Sequence, residues 1–299
     1  MSEARYAILE ERGILAISGI DRREFLQGLV SNDTRKLGPG RALYAALLTP
    51  QGKYLHDFFL AEAGETILLD GENARLPDLL RRLSLYKLRS KVSIADASDR
   101  YLVAAAFGEG SGSKLGLAGE RGSAVGFGGG VAFVDPRLAS LGERLILPRA
   151  SGEAALAAGG LARADGAVYD RLRLEAGVPD GSRDLPVEKA ILLEAGFDEL
   201  GGIDWEKGCY MGQELTARTK YRALIKKRLL PVRVEGALPE PGTPVMIDGA
   251  EAGEIRSGRG DRALALLRLE AIEDSGRTGI PLTAGGARIT PIKPEWVRY

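Results

Sequence analysis

The pattern of apolar and polar positions changes character along the chain. Near the start, "GILAISGI" (13–20) is a short apolar run that predicts a strand. "DRREFLQGLV" (21–30) then sets Phe25, Leu26, Leu29 and Val30 on one face of a predicted helix, with Asp21 and Glu24 spaced to cap its start. "ALYAALLT" (42–49) and "YLHDFFLA" (54–61) flank "PQGK". Two apolar runs around a Pro/Gly turn predict a hairpin. "TILLD" (66–70) and "KVSIAD" (91–96) read as strands. Between them "LPDLLRRLSLYKL" (76–88) reads as an amphipathic helix with a basic exposed face. These elements predict an α+β lobe over residues 1–95.

The texture repeats over residues 96–227. "YLVAAAF" (101–107), "VAFVD" (131–135) and "ERLILP" (143–148) predict strands, and "GEAALAAG" (152–159) and "AVYDRLRLEAG" (167–177) predict helices. The glycine-rich "GFGGG" (126–130) predicts a turn. It lacks the Lys-Ser/Thr ending of a phosphate loop and leads into a strand. This second α+β lobe can be interleaved with the first. After Arg228 the runs become short and β-like: "RLLPVRVEG", "TPVMIDG", "AGEIRSG", "RALALLRL" and "ARITPI", separated by Gly, Pro and Asp. They predict a small β-barrel over 228–299, with "LIKKRLL" (224–230) as the junction.

Composition narrows the function classes. The chain has 299 residues, enough for more than one domain, and 41 basic residues against 41 acidic ones. That balance argues against a general polyanion binder. The basic runs "RRLSLYKLRSK" (81–91) and "KYRALIKKR" (220–228) read as solvated helix faces and a junction, so direct nucleic-acid binding is not expected. One cysteine and one histidine leave no disulfide framework and no self-contained metal site. No apolar run approaches the roughly 20 residues of a membrane span. "MSEARYAILEERG" lacks the apolar core of a signal peptide and contains acids that transit peptides avoid. A cytoplasmic protein with no membrane partner is predicted.

The lone cysteine sits in "EKGCYMGQELTAR" (206–218). "GQELTARTKYR" contains helix formers, which places Cys209 just upstream of a predicted helix start, where exposed N–H groups favour an anion. Lys207 and Arg218 could add positive charge, and such surroundings make a thiol a nucleophile or a ligand. Glu206 opposes them. The competing reading is a small buried hydrophobe. His56, the only histidine, is distant in sequence.

"KGCYMGQELTAR" resembles the signature of the YgfZ/IBA57 family, folate-binding relatives of the glycine-cleavage aminomethyltransferase (T-protein). "DRREFLQGLVSND", "ALYAALLTPQGKYLHDFFL" and "LRLEAGVPDGSRDLPVE" extend the resemblance over nearly the whole chain. It implies three lobes in a ring around a central pocket for tetrahydrofolate or another folate. It also implies a role in making or maintaining iron–sulfur enzymes, with assembly or client proteins as partners, and a mitochondrial-type role only by family analogy. By the same resemblance Glu175 corresponds to the family's pterin-binding glutamate. A carboxylate there can accept from the pterin N–H and its neighbouring amino group together. Tyr44 corresponds to an aromatic that lines the pocket. Asp57 and Arg218 are carried over as cofactor-binding residues, and Gly208, Tyr210, Gly212, Gln213 and Glu214 as motif residues. Cys209, with Lys207 beside it, is the implied functional centre. Where the transferases carry two adjacent acids, this chain has His56 and Asp57. That departure argues against aminomethyl transfer. A tetrahydrofolate-dependent one-carbon transferase stays as the alternative reading, and an interaction scaffold with a vestigial folate pocket as the second.

Overall fold

The computed structural model describes residues 3–221 and 225–298. Residues 222–224, which include the start of the predicted junction and part of the second basic run, lie outside the described residues. The chain divides into two compact units. The first comprises Met1–Leu48, Leu55–Tyr169 and Leu200–Met211; the second comprises Thr49–Tyr54, Asp170–Glu199 and Gly212–Tyr299.

The first unit is built on two sheets. One has five strands in the order Leu43–Leu48, Tyr54–Ala63, Thr66–Glu72, Arg12–Ser18 and Ser93–Asp96. The other has six, in the order Ala162–Arg163, Arg5–Ile8, Tyr101–Phe107, Glu143–Pro148, Gly130–Val134 and Ala124–Phe127. Arg5–Ile8 thus joins the second lobe's sheet, with Arg5 opposite Phe107, so the two lobes are interleaved. This strand escaped the sequence pattern because its four residues are fixed by partners distant in the chain. Phe59 and Phe133, one from each sheet, meet at a centroid distance of 6.1 Å. Beside them Asp70 is fully buried between the guanidinium groups of Arg12 and Arg144.

Two local expectations need correction. The first helix spans only Arg22–Gln27, and Asp21 does not cap it; its carboxylate accepts the Lys91 N–H at 2.7 Å instead. Arg228, read within a solvated basic run, is buried in strand Lys227–Glu235, where it donates to Leu193 O and to Glu199 at 2.8 Å. The "GFGGG" run is a hairpin turn, with Gly128 and Gly129 at positive φ between two antiparallel strands.

The second unit contains a closed barrel in the order Lys227–Glu235, Arg262–Arg268, Ala250–Arg259, Pro244–Ile247, Leu282–Ala284 and Ala287–Pro291. Val232, Val245, Ile255, Ala265 and Leu267 are among the side chains that fill it. Helix Leu269–Thr278 was not predicted. Ala271 is its one buried residue, so it carries little apolar signal.

Candidate functional site

The cysteine segment is anchored from one side by the loop that follows the first helix. Lys207 is buried, and its ammonium donates to the carbonyls of Val30 at 2.5 Å and Asn32 at 2.6 Å. It also lies 5.1 Å from the centroid of the Tyr210 ring, a cation–π distance. Burial pulls its pKa down from 10.5 to about 8, against the pull of Asp33 and Asp204. Asp204 turns the chain into the motif: its Oδ1 accepts the N–H groups of Glu206 and Lys207, and its Oδ2 accepts from Lys36 at 2.5 Å. Ser31 and Asn32 complete the clasp. Ser31 Oγ donates to Gly202 O, and the Asn32 amide donates to the carbonyls of Tyr44 and Gly201. Sequence reasoning missed Asp204, Ser31, Asn32 and Lys36. The legible signal was Asp204 itself, an Asx-turn residue two positions before Glu206.

Cys209 is exposed, while its neighbour Tyr210 is buried. Apart from its chain neighbours, Gly208 has no atom within 4 Å of the position a Cβ would take. Met211 closes the segment: its N–H donates to Gly28 O at 3.1 Å, and its sulfur accepts from the Tyr86 hydroxyl at 3.2 Å. The division between the units falls after Met211.

In the second unit Gly212, at φ 81°, takes the left-handed turn that leads into helix Gln213–Tyr221. Along that helix Arg218 pairs with Glu214 at 2.5 Å, with both side chains largely exposed. The "PQGK" turn packs on the start of this helix. A Cβ at Gly52 would come within 2.6 Å of Leu215 Cβ and 2.7 Å of Gly212 O. Two of the quoted motifs therefore meet here. Glu175 is 44% exposed and pairs with Arg171 at 2.9 Å, one helical turn away.

The remaining residues lie in the first unit, split by the alternation of a strand. Asp57 accepts from the Tyr44 hydroxyl at 2.8 Å. Tyr44 has no exposed surface and Asp57 is 5% exposed, and burial pushes the tyrosine's pKa well up. Arg137, ion-paired with Asp135, stacks 5.4 Å from the Tyr44 ring and 4.8 Å from Phe59. His56 points to the opposite face, where its Nε2 meets Asp78 at 2.9 Å. Burial and the nearby Arg75 lower its pKa to about 4 despite Asp78, so it is neutral at pH 7 and donates to that carboxylate. Burial would raise Asp78, but hydrogen bonds from Arg82, Arg81 and His56 hold it well below the usual carboxylate range. Among the described residues no group of three or more His, Cys, Asp or Glu side chains is placed to hold a metal ion. No helix among them is long and apolar enough to cross a membrane.

Comparison with known proteins places this geometry. The fold is similar to that of the glycine cleavage system aminomethyltransferase T from Bartonella henselae, with a TM-score of 0.78 over 99% of this chain and 87% of that one, at 17% identity. Residues 226–299 match the family model of the CAF17 C-terminal beta-barrel domain. The mouse protein named iron-sulfur cluster assembly factor IBA57, mitochondrial, is 34% identical over 96% of this chain and 84% of its own length. Its human counterpart is 34% identical over 89% of this chain and 78% of its own. With that identity sustained over most of both sequences, the chain belongs to the IBA57 family.

Proposed function

We propose that this chain is a folate-dependent accessory factor for the assembly or repair of iron–sulfur enzymes, with Cys209 as its functional centre. The observation that carries the reading is the contrast between the exposed thiol and its anchored flanks. Lys207 and Tyr210 are buried on either side of an exposed Gly208-Cys209 pair. A cysteine kept merely as a small hydrophobe would be buried. Family membership supplies the process, since the mouse and human relatives are named iron–sulfur cluster assembly factors. Lys207 acts as a positioning residue, because its ammonium is engaged with two carbonyls.

The folate part of the reading rests on Glu175. Its carboxylate is accessible and its present partner, Arg171, is a surface ion pair, which is worth about 0–1 kcal/mol. Exchanging that partner for a pterin's paired donors is therefore inexpensive. Tyr44 and Asp57 are bonded to each other in the core of the first unit. Lys207 is engaged with two carbonyls, and Arg218 pairs on an exposed helix face with Glu214, a surface pair it can exchange for an anionic ligand. The transferase alternative loses its second acid, since His56 is tied to Asp78 on the far face of the strand.

The test is complementation. In cells lacking their own family member, this chain should restore the activity of a [4Fe–4S] dehydratase, and Glu175→Gln should restore it less well. Failure of the unmodified chain to restore any such activity, at normal expression, would end this reading.

A further inference from the structure

The outer face of the barrel carries two leucines where a barrel strand ordinarily meets water. Val232 and Val234 fill the barrel, so strand alternation turns Lys227 and Leu229 outward. Ile255, Ala265 and Leu267 point inward as well, which turns Glu254, Arg256 and Leu266 outward. Antiparallel pairing sets Leu229 opposite Leu266 and Leu266 opposite Glu254, so the three stand in a row across the sheet. The segment 184–195 covers this row without filling the space. A cavity of about 470 Å³ remains, and Leu185, Pro186, Ile191, Leu229 and Leu266 give it apolar walls. Every described residue that lines it belongs to the second unit. Three hydrogen bonds fix its walls. The Tyr54 N–H donates to Ala190 O at 3.0 Å, the Arg228 guanidinium to Leu193 O at 2.9 Å, and the Ser257 N–H to Asp184 Oδ1 at 2.9 Å.

Seven ionisable side chains line the cavity among the described residues. Asp184 is buried and neutralised by Arg173 at 2.7 Å, and its oxygens also accept from the Asp180 N–H and from Ser257. Glu254 pairs with Arg256. Lys53, Lys189, Lys227 and Glu194 remain, and none of these four forms an ion pair among the described residues. The unpaired charge is three cations against one carboxylate. Burial disfavours even that carboxylate, raising the Glu194 pKa against the pull of Lys227 and Lys53. Arg256 adds a donor, since its Nε is buried and has no hydrogen-bond partner among the described residues. A buried N–H is costly until something accepts from it.

We infer that this cavity binds a small organic dianion, a dicarboxylate or a phosphate monoester, with its charged groups on Lys53, Lys227 and Arg256 Nε and its apolar body against Leu229 and Leu266. Three free cations against one carboxylate leave two positive charges for the ligand to balance, and the leucine row gives its body a dry surface. None of Glu175, Tyr44, Asp57 and Arg218 lines the cavity, so the inference does not depend on the folate reading.

The experiment is calorimetric titration of the full chain with phthalate and with phenyl phosphate. At about pH 7.5 and roughly 0.15 M salt both probes are largely dianions with an apolar body, and long-range attraction is screened. One equivalent of at least one probe should bind, and the tighter of the two names the ligand's anionic group. Benzoate, with the same ring and one charge, should bind at least about tenfold more weakly. Lys53→Gln combined with Lys227→Gln should weaken dianion binding about tenfold or more, and Glu194→Gln should tighten it about threefold. Lys91→Gln, a loss of positive charge on the first unit, should leave it unchanged. The cavity variants move the affinity in opposite directions, which a general loss of fold cannot imitate. No binding of either dianion at about 10 mM would overturn the inference. So would equal affinity for benzoate, or a loss in Lys91→Gln as large as that in the lysine pair. Stoichiometric displacement of the probe by tetrahydrofolate would also overturn it, by making the cavity part of the folate site. Absence of folate binding would leave it standing, because the probes are read directly.

Discussion

Replacing Lys207 by methionine keeps the side chain's length and removes its ammonium. Two effects then oppose each other. The carbonyls of Val30 and Asn32 lose charge-assisted bonds of 2.5 and 2.6 Å, each worth about 1.5–3 kcal/mol, and stay buried without their donor. Against this, the fold no longer has to desolvate a cation. The drop in pKa from 10.5 to about 8 is the net of that penalty and the opposing pull of Asp33 and Asp204, about 3 kcal/mol against the charged form. The balance favours the lysine by about 2 kcal/mol at pH 7. Urea unfolding of both proteins measures it, and amide exchange at Glu206 and Lys207 shows whether the loss is local to the clasp. The pH dependence gives a second, independent check. Between pH 8 and 10.5 the unfolded chain holds a proton on Lys207 that the folded chain has released. Stability relative to Lys207→Met should therefore rise across that window by about 3 kcal/mol. A methionine variant as stable as the parent at pH 7, with a difference that stays flat to pH 10.5, would refute the buried-cation argument.

His56 is the only histidine in the chain, so its titration can be followed by NMR without assignment; the midpoint should lie near pH 4, and one at 6.5 or above would contradict its burial against Asp78. Since the unfolded chain takes up this proton first, stability should fall by about 3 kcal/mol as the pH drops from 6.5 to 4. Glu175→Gln should weaken tetrahydrofolate binding by about 1.5–3 kcal/mol in calorimetric titration, because a charged acceptor becomes a neutral, partly donating group; equal affinities would remove Glu175 from the site. Asp70→Asn leaves Arg12 and Arg144 facing each other in the core, and should cost about 3–5 kcal/mol in chemical denaturation; a loss below about 1 kcal/mol would show that the two guanidinium groups find other partners.

The elements legible in the sequence were those whose own residues carry the signal. The hairpin around "PQGK", helix Leu76–Leu85 and the barrel strands after Arg228 announce themselves by period and turn residues. Strand Arg5–Ile8 and helix Leu269–Thr278 do not. The first is defined by distant partners, and the second buries little. The candidate site was legible as a string of residue types, within which Cys209 is exposed. What the string hid was the direction of each charge. Lys207 reads as a cation next to a thiol, but its ammonium reaches back to residues 30 and 32, about 175 positions earlier in the chain. His56-Asp57 reads as a pair, yet strand alternation sends the two to opposite faces. Arg228 reads as surface charge, but Glu199 and the Leu193 carbonyl draw it into the core.

The central claim is that the Cys209 thiol, and not the bulk of its side chain, is what the clasp presents. Cys209→Ser is nearly isosteric at an exposed position, so fold and tetrahydrofolate affinity should be retained. The decisive measurement is the activity of a [4Fe–4S] enzyme in cells that lack their own family member and express this variant at the parent's level. The account predicts activity no higher than in cells with no complementing protein. Activity equal to that given by the unmodified chain would contradict it.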